Sequence, residues 1–117
     1  MTKYHTQKTV VDGITFASRL ESERFQQLRL LEKAGEISHL KLQVEFQISQ
    51  GWIDPETGEK VRSHFYVADF MYVDKNEQIV IVEDTKGMET DTFRLKWDIV
   101  KSMYPQYEFR KVTRDMV

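Results

Sequence analysis

Phe65-Tyr-Val-Ala-Asp-Phe-Met-Tyr-Val73 and Ile79-Val-Ile-Val-Glu-Asp-Thr-Lys-Gly87 decide the fold, with the turn residues Asp74-Lys-Asn-Glu77 between them. In the first stretch both alternating sets are mostly apolar. Phe65, Val67, Met71 and Val73 fall on one side and Tyr66, Ala68, Phe70 and Tyr72 on the other, the pattern of a central strand covered on both faces. Asp69 interrupts the first set. An unpaired carboxylate on that face costs several kcal/mol or takes up a proton, so Asp69 needs a partner, a proton or a metal. A hairpin centred within Asp74 to Glu77 places Asp69 across from Val82 to Asp84. Two carboxylates that close repel unless a cation bridges them. With oxygen ligands and no cysteine, the ion expected is Mg²⁺, for which Mn²⁺ would substitute.

Working outward, Leu40, Leu42, Val44, Phe46 and Ile48 alternate with polar residues and predict a half-buried strand upstream. The turn-rich segment Gly51-Trp-Ile-Asp-Pro-Glu-Thr-Gly58 is expected to be a hairpin loop, with Trp52 as a packed anchor. Further upstream the spacing of Ala17, Leu20, Phe25, Leu28 and Leu31 predicts a helix from about Ser18 to Ala34, stopped by Gly35. Downstream, Thr90 or Thr92 caps a second helix running to about Met103, Pro105 closes it, and Tyr107 to Val112 form a last short strand. Helix, three strands, helix and strand make an α/β fold with a mixed sheet.

A chain of 117 residues fits one compact domain, expected over residues 1–117. Its 40% hydrophobic and 31% charged residues are those of a globular protein, and no apolar run approaches a membrane span. An intracellular, cytoplasmic protein is expected. The net charge of -2 argues against a protein that holds nucleic acid by charge alone, unless carboxylates gathered around metal ions account for part of it. There is no Gly-rich phosphate loop, no Gly-x-Ser-x-Gly elbow and no dinucleotide fingerprint, so an NTPase, an esterase and a dehydrogenase are disfavoured and no organic cofactor is expected.

Asp84 and Lys86, two apart on a strand, project to one face, while Glu83 points the other way. A lysine beside metal-binding carboxylates suits the positioning of an attacking water or the offsetting of phosphate charge. Glu21 falls inside the apolar stripe of the first helix. It is a third candidate ligand, although Ser18-Arg-Leu-Glu21 also fits a capping box. The Thr85 carbonyl joins Asp69 and Asp84 in the expected metal set. Gln43, Glu83 and Lys96 are secondary candidates: Gln43 to orient a phosphate or water, Lys96 to reach DNA or the active centre, with a solvated glutamine and a snorkelling lysine as the plain alternatives. Lys60, Arg62, Arg94 and Lys101, with Arg110 and Lys111, are candidate phosphate contacts. His5, His39 and His64 lack ligand spacing and are given no role.

Asp69, then Asp84-Thr-Lys86, with a helical Glu21 upstream, resembles the PD-(D/E)XK superfamily, the restriction-endonuclease-like fold. More closely, Lys3-Tyr4, Asp12-Gly-Ile-Thr-Phe16, Ala68-Asp-Phe70, Glu83-Asp-Thr-Lys-Gly87 and Pro105 resemble a family of small phage and prophage proteins catalogued as domain of unknown function 1064. That family is similar to nucleases that resolve branched DNA and Holliday junctions. The resemblance implies an αβββαβ core, Mg²⁺ dependence, a homodimer acting on two DNA strands in a bacterial host cell, and a site made of Glu21, Asp69, Asp84 and Lys86. The expected activity is metal-dependent DNA endonuclease. A nuclease-like fold kept as a DNA-binding or protein-binding module is the alternative, and an RNA target stays open.

Overall fold

A computed structural model describes residues 8–117; Lys3, Tyr4 and His5 lie outside the described residues. A small hairpin comes first, β1 (Thr9–Val11) and β2 (Ile14–Phe16). Its turn is Asp12-Gly13, both at positive φ, as a two-residue turn between twisted strands requires. α1 (Arg19–Lys33) then starts at Ser18, whose Oγ accepts from the Glu21 amide at 3.1 Å, and stops at Gly35, φ +78. Ala17 precedes that cap and is exposed, so it does not join the buried stripe expected of it.

β3 (Ile37–Gln47) begins earlier than its alternation from Leu40 predicts. The expected loop after it carries a second small hairpin, β4 (Trp52–Ile53) with β5 (Lys60–Val61). Trp52 is 54% exposed there rather than a packed anchor, because it sits on an isolated two-stranded ribbon that is separate from the main sheet. β6 (Phe65–Asp74) and β7 (Ile79–Thr85) form the expected hairpin, Thr90 caps α2 (Asp91–Met103), and β8 (Glu108–Val112) follows, with a short 3-10 turn at Arg114–Met116. The core order α1, β3, β6, β7, α2, β8 is helix, three strands, helix, strand.

The main sheet has the order β3-β6-β7-β8, antiparallel except for the parallel pair β7 and β8, which α2 connects. It is a mixed sheet with two helices, hence α/β. One core packs Phe16, Phe25 and Leu28 against Ile37, Phe70, Tyr72 and Ile81; the other packs Phe93, Trp97 and Val100 against Phe46, Tyr66, Ala68 and Val82.

This division corrects the simple alternation read from β6. Tyr66, Ala68, Phe70 and Tyr72 are all buried, yet the first two face the α2 core and the last two the α1 core. β3 changes over in the same way, Leu42 packing with α1 and Val44 and Phe46 with α2. The changeover falls at Gln43, φ +52, and at Asp69, which the flanking pairs Leu42↔Phe70 and Val44↔Ala68 bring opposite it. Asp69 therefore does not share an apolar face with Phe65 and Val67. Those two are largely exposed, and Asp69 sits at the kink between the two cores.

Candidate active site

The β6–β7 register pairs Phe70 with Glu83, so the next residues along, Asp69 and Asp84, face one another where the ladder ends. They open into a cleft of about 690 Å³, bounded by the N-terminal turn of α1, the Thr85-Lys86-Gly87 end of β7, Thr90 at the start of α2 and Arg114. The cleft lies at the carboxyl ends of the parallel strands, where α/β sheets commonly bind ligands.

Three carboxylates converge on it. Asp84 is 3% exposed; Tyr66 donates its hydroxyl to Oδ2, and the Lys86 ammonium stands 3.4 Å from Oδ1. Burial, reinforced by the nearby Asp69 charge, pushes the Asp84 carboxyl up to about 7. Glu21, 4% exposed, accepts from the Ala17 amide at 3.2 Å and from Gln43 Nε2 at 2.9 Å. Burial first, then Asp69, pushes its carboxyl up to about 8. Asp69 itself is only partly buried. Its Oδ2 accepts from both the amide and the hydroxyl of Thr85, at 2.9 and 2.7 Å. The same burial, followed by the Asp84 charge, raises the Tyr66 hydroxyl, which keeps it a proton donor to Asp84.

Lys86 is the cation at the cleft floor. Its ammonium lies over the Phe93 ring at 4.2 Å, so α2 and Asp84 together fix where the charge points. Among the described residues, no three His, Asp or Glu side chains are drawn close enough to hold a metal ion by themselves. The donor chemistry nevertheless suits a hard dication. Asp69 and Asp84 supply oxygens side by side, and Mg²⁺ keeps several of its waters rather than demanding an all-protein cage.

The structure thus brings Glu21, Asp69, Asp84, Thr85 and Lys86 into one cleft, while Gln43, exposed and outside the cleft lining, reaches Glu21 by a hydrogen bond. It does not bring in Glu83. That side chain, 1% exposed on the opposite face of the sheet, accepts from Arg24 Nε at 2.8 Å and Nη2 at 2.6 Å and from the Tyr72 hydroxyl. Lys96 is also elsewhere, its ammonium donating to the Phe65 carbonyl at 3.0 Å. Lys60 and Arg62 lie at the β4–β5 hairpin, and Lys101 is exposed on α2 beside Trp97. Arg94 pairs with Glu89 and Asp91, and Lys111 with Glu89, which offsets their charge. Arg110 is ion-paired with Glu108. Two residues of the site escape sequence reasoning. Arg114 enters from the C-terminal turn, where no spacing marks it, and Tyr66 is an aromatic in an apolar strand until its hydroxyl is seen on Asp84.

An α/β sheet with a carboxylate and lysine cleft at its strand ends defines the class of this protein. The chain belongs to the family described as "Protein of unknown function (DUF1064)", whose model matches residues 1–116. No curated protein and no solved structure matches the chain. No helix among the described residues is long and apolar enough to cross a membrane.

Proposed function

We propose that this protein is a Mg²⁺-dependent DNA endonuclease with a PD-(D/E)XK-type site, acting on branched DNA such as Holliday junctions. One observation carries the proposal: two nearly buried carboxylates, Glu21 and Asp84, share a cleft with Asp69 and with a lysine held in place by an aromatic ring. Burying carboxylates together costs stability unless a cation or protons compensate, so the arrangement is kept at an expense that a binding surface does not need.

Asp69, Asp84 and the Thr85 carbonyl, with Glu21 beside them, would hold the ion, which when bound supplies Lewis-acid stabilisation of the phosphate and a water acidic enough to attack it. The chain's own groups have definable tasks. Thr85 fixes the rotamer of Asp69 through two hydrogen bonds, and Tyr66 fixes Asp84 through one. Lys86 holds positive charge at the cleft floor, where it offsets charge developing on the phosphate and orients the attacking water. Arg114 lines the cleft with its guanidinium ion-paired to Glu23, so its charge is already offset by an acid.

The test is incubation of labelled linear, nicked, flapped and four-way-junction DNA with Mg²⁺, Mn²⁺ or EDTA. Cutting that needs the metal and favours the branched substrates is expected. Binding without cutting in every condition would contradict the proposal and leave a DNA-binding module.

A further inference from the structure

Gln43 holds a backbone conformation, φ +52, that residues with side chains rarely adopt. Asp12 and Gln78 share the positive sign in tight turns, and His39 at the register shift near the start of β3. Gln43 differs from them: regular pairs flank it on both sides, Leu42 with Phe70 and Val44 with Ala68. Such strain persists where the placement of a side chain is the gain. Here the gain is visible. Gln43 Nε2 donates to Glu21 Oε1 at 2.9 Å and stands 3.5 Å from Asp69 Oδ1. One amide nitrogen, carrying two hydrogens, thus reaches a carboxylate from α1 and another from β6. Glu21 belongs to a helix and Asp69 to a strand; their carboxyl groups touch one another, and this amide is an uncharged group that bonds to both.

Resting on the metal-nuclease reading above, we propose that Gln43 is a positioning residue, a neutral clasp that sets the spacing of Glu21 and Asp69 for the divalent ion they receive. Gln43 acts through those two carboxylates and makes no DNA contact of its own. The kinked backbone is what delivers its amide to them.

Gln43→Gly separates this role from a merely structural one, because it relieves the positive φ and removes the clasp in a single change. The variant is expected to melt at or above the wild-type temperature. By calorimetry it binds Mn²⁺ about tenfold more weakly, and its kcat on a four-way junction falls by a similar factor, with KM for the DNA unchanged, the scale of loss usual when a group supporting metal ligands is removed. Should the glycine variant melt well below wild type, Gln43→Asn, which tolerates positive φ and shortens the amide arm, reads the same quantities. Wild-type Mn²⁺ affinity and kcat in these variants would overturn the clasp, and so would a loss confined to KM, which would make Gln43 a DNA contact. Wild-type protein that neither binds Mn²⁺ nor cuts would instead remove the nuclease reading, and the clasp with it.

Discussion

Asp84 and Glu21 hold their protons well above the ordinary carboxylate range, at about 7 and about 8, because burial and the Asp69 charge both disfavour their ionised forms. The sign of the consequence follows from which state binds more protons. Between roughly pH 4, where an unfolded carboxylate titrates, and pH 8 the folded chain keeps protons that the unfolded chain has released. Their stabilising contribution is therefore complete below the unfolded value and is lost as pH rises through the folded values. Urea unfolding in EDTA at pH 5.5, 7 and 8.5 is expected to show stability falling by a few kcal/mol across the series. Asp84→Asn, which cannot ionise, should flatten part of that slope. Stability that rises through the same window would contradict the placement of these carboxylates.

The same residues mark how far sequence reasoning reached at this scale. Asp69 and Asp84 become neighbours from hairpin arithmetic alone, since the turn at Asp74 to Glu77 fixes the register and the observed pairing of Phe70 with Glu83 places them as expected. Glu21 fits two descriptions in the sequence, and the structure combines them: its amide is capped by Ser18 while its carboxylate accepts from Ala17 and reaches the cleft. The kink at Gln43 was not legible. A positive φ in a non-glycine residue leaves no mark in an alternating pattern, and the even-numbered apolar run continues unbroken while its partners change from one helix to the other.

Among the elements, the Arg24–Glu83 pair ties α1 to β7 beside the apolar packing of Phe25 and Leu28 with Ile81, with Arg24 one turn beyond Glu21 and Glu83 next to Asp84. Hydrogen bonding to Glu83 raises the Arg24 guanidinium, and burial followed by the Glu83 charge raises the Tyr72 hydroxyl, so both remain donors. Removing one side of a buried pair strands the other. Arg24→Met is expected to cost about 3 kcal/mol in urea unfolding, and Arg24→Met with Glu83→Leu should recover much of it. Equal losses in the single and double variants would show that the pair does not hold the helix. Glu83 reads in the sequence as a secondary site candidate whose side chain faces away from Asp84; the arginine that meets it is 59 residues distant in the chain and carries no spacing signal. The β1–β2 hairpin has no place in the sequence reading, although its Asp12-Gly13 turn is a signal that could have marked it. The six core elements were legible because each has a clear period and a clear stop.

For the whole molecule, a net charge of -2 means that the proposed DNA substrate would have to be held by a minority of cations placed where acids do not cancel them. Arg94, Lys111 and Arg110 are already paired with acids, whereas Lys60 and Arg62 are exposed at the β4–β5 hairpin. Each of Lys60→Ala and Arg62→Ala is expected to weaken DNA binding similarly for all sequences and to lower the slope of log affinity against log salt by about 1. Fluorescence anisotropy from low to moderate salt checks it, and unchanged slopes would take the hairpin out of the DNA interface. On the proposed reading it is the cleft that carries the chemistry.

That claim meets its most direct test in the single-turnover cleavage rate of a labelled four-way junction in Mg²⁺, wild type beside Asp84→Asn. A wild-type rate that vanishes in EDTA and falls by about a thousandfold or more in the variant, while junction binding persists, is the expected result. A variant that cuts as fast as wild type, or a wild type that binds the junction and leaves it whole with Mg²⁺ and Mn²⁺ alike, would contradict it.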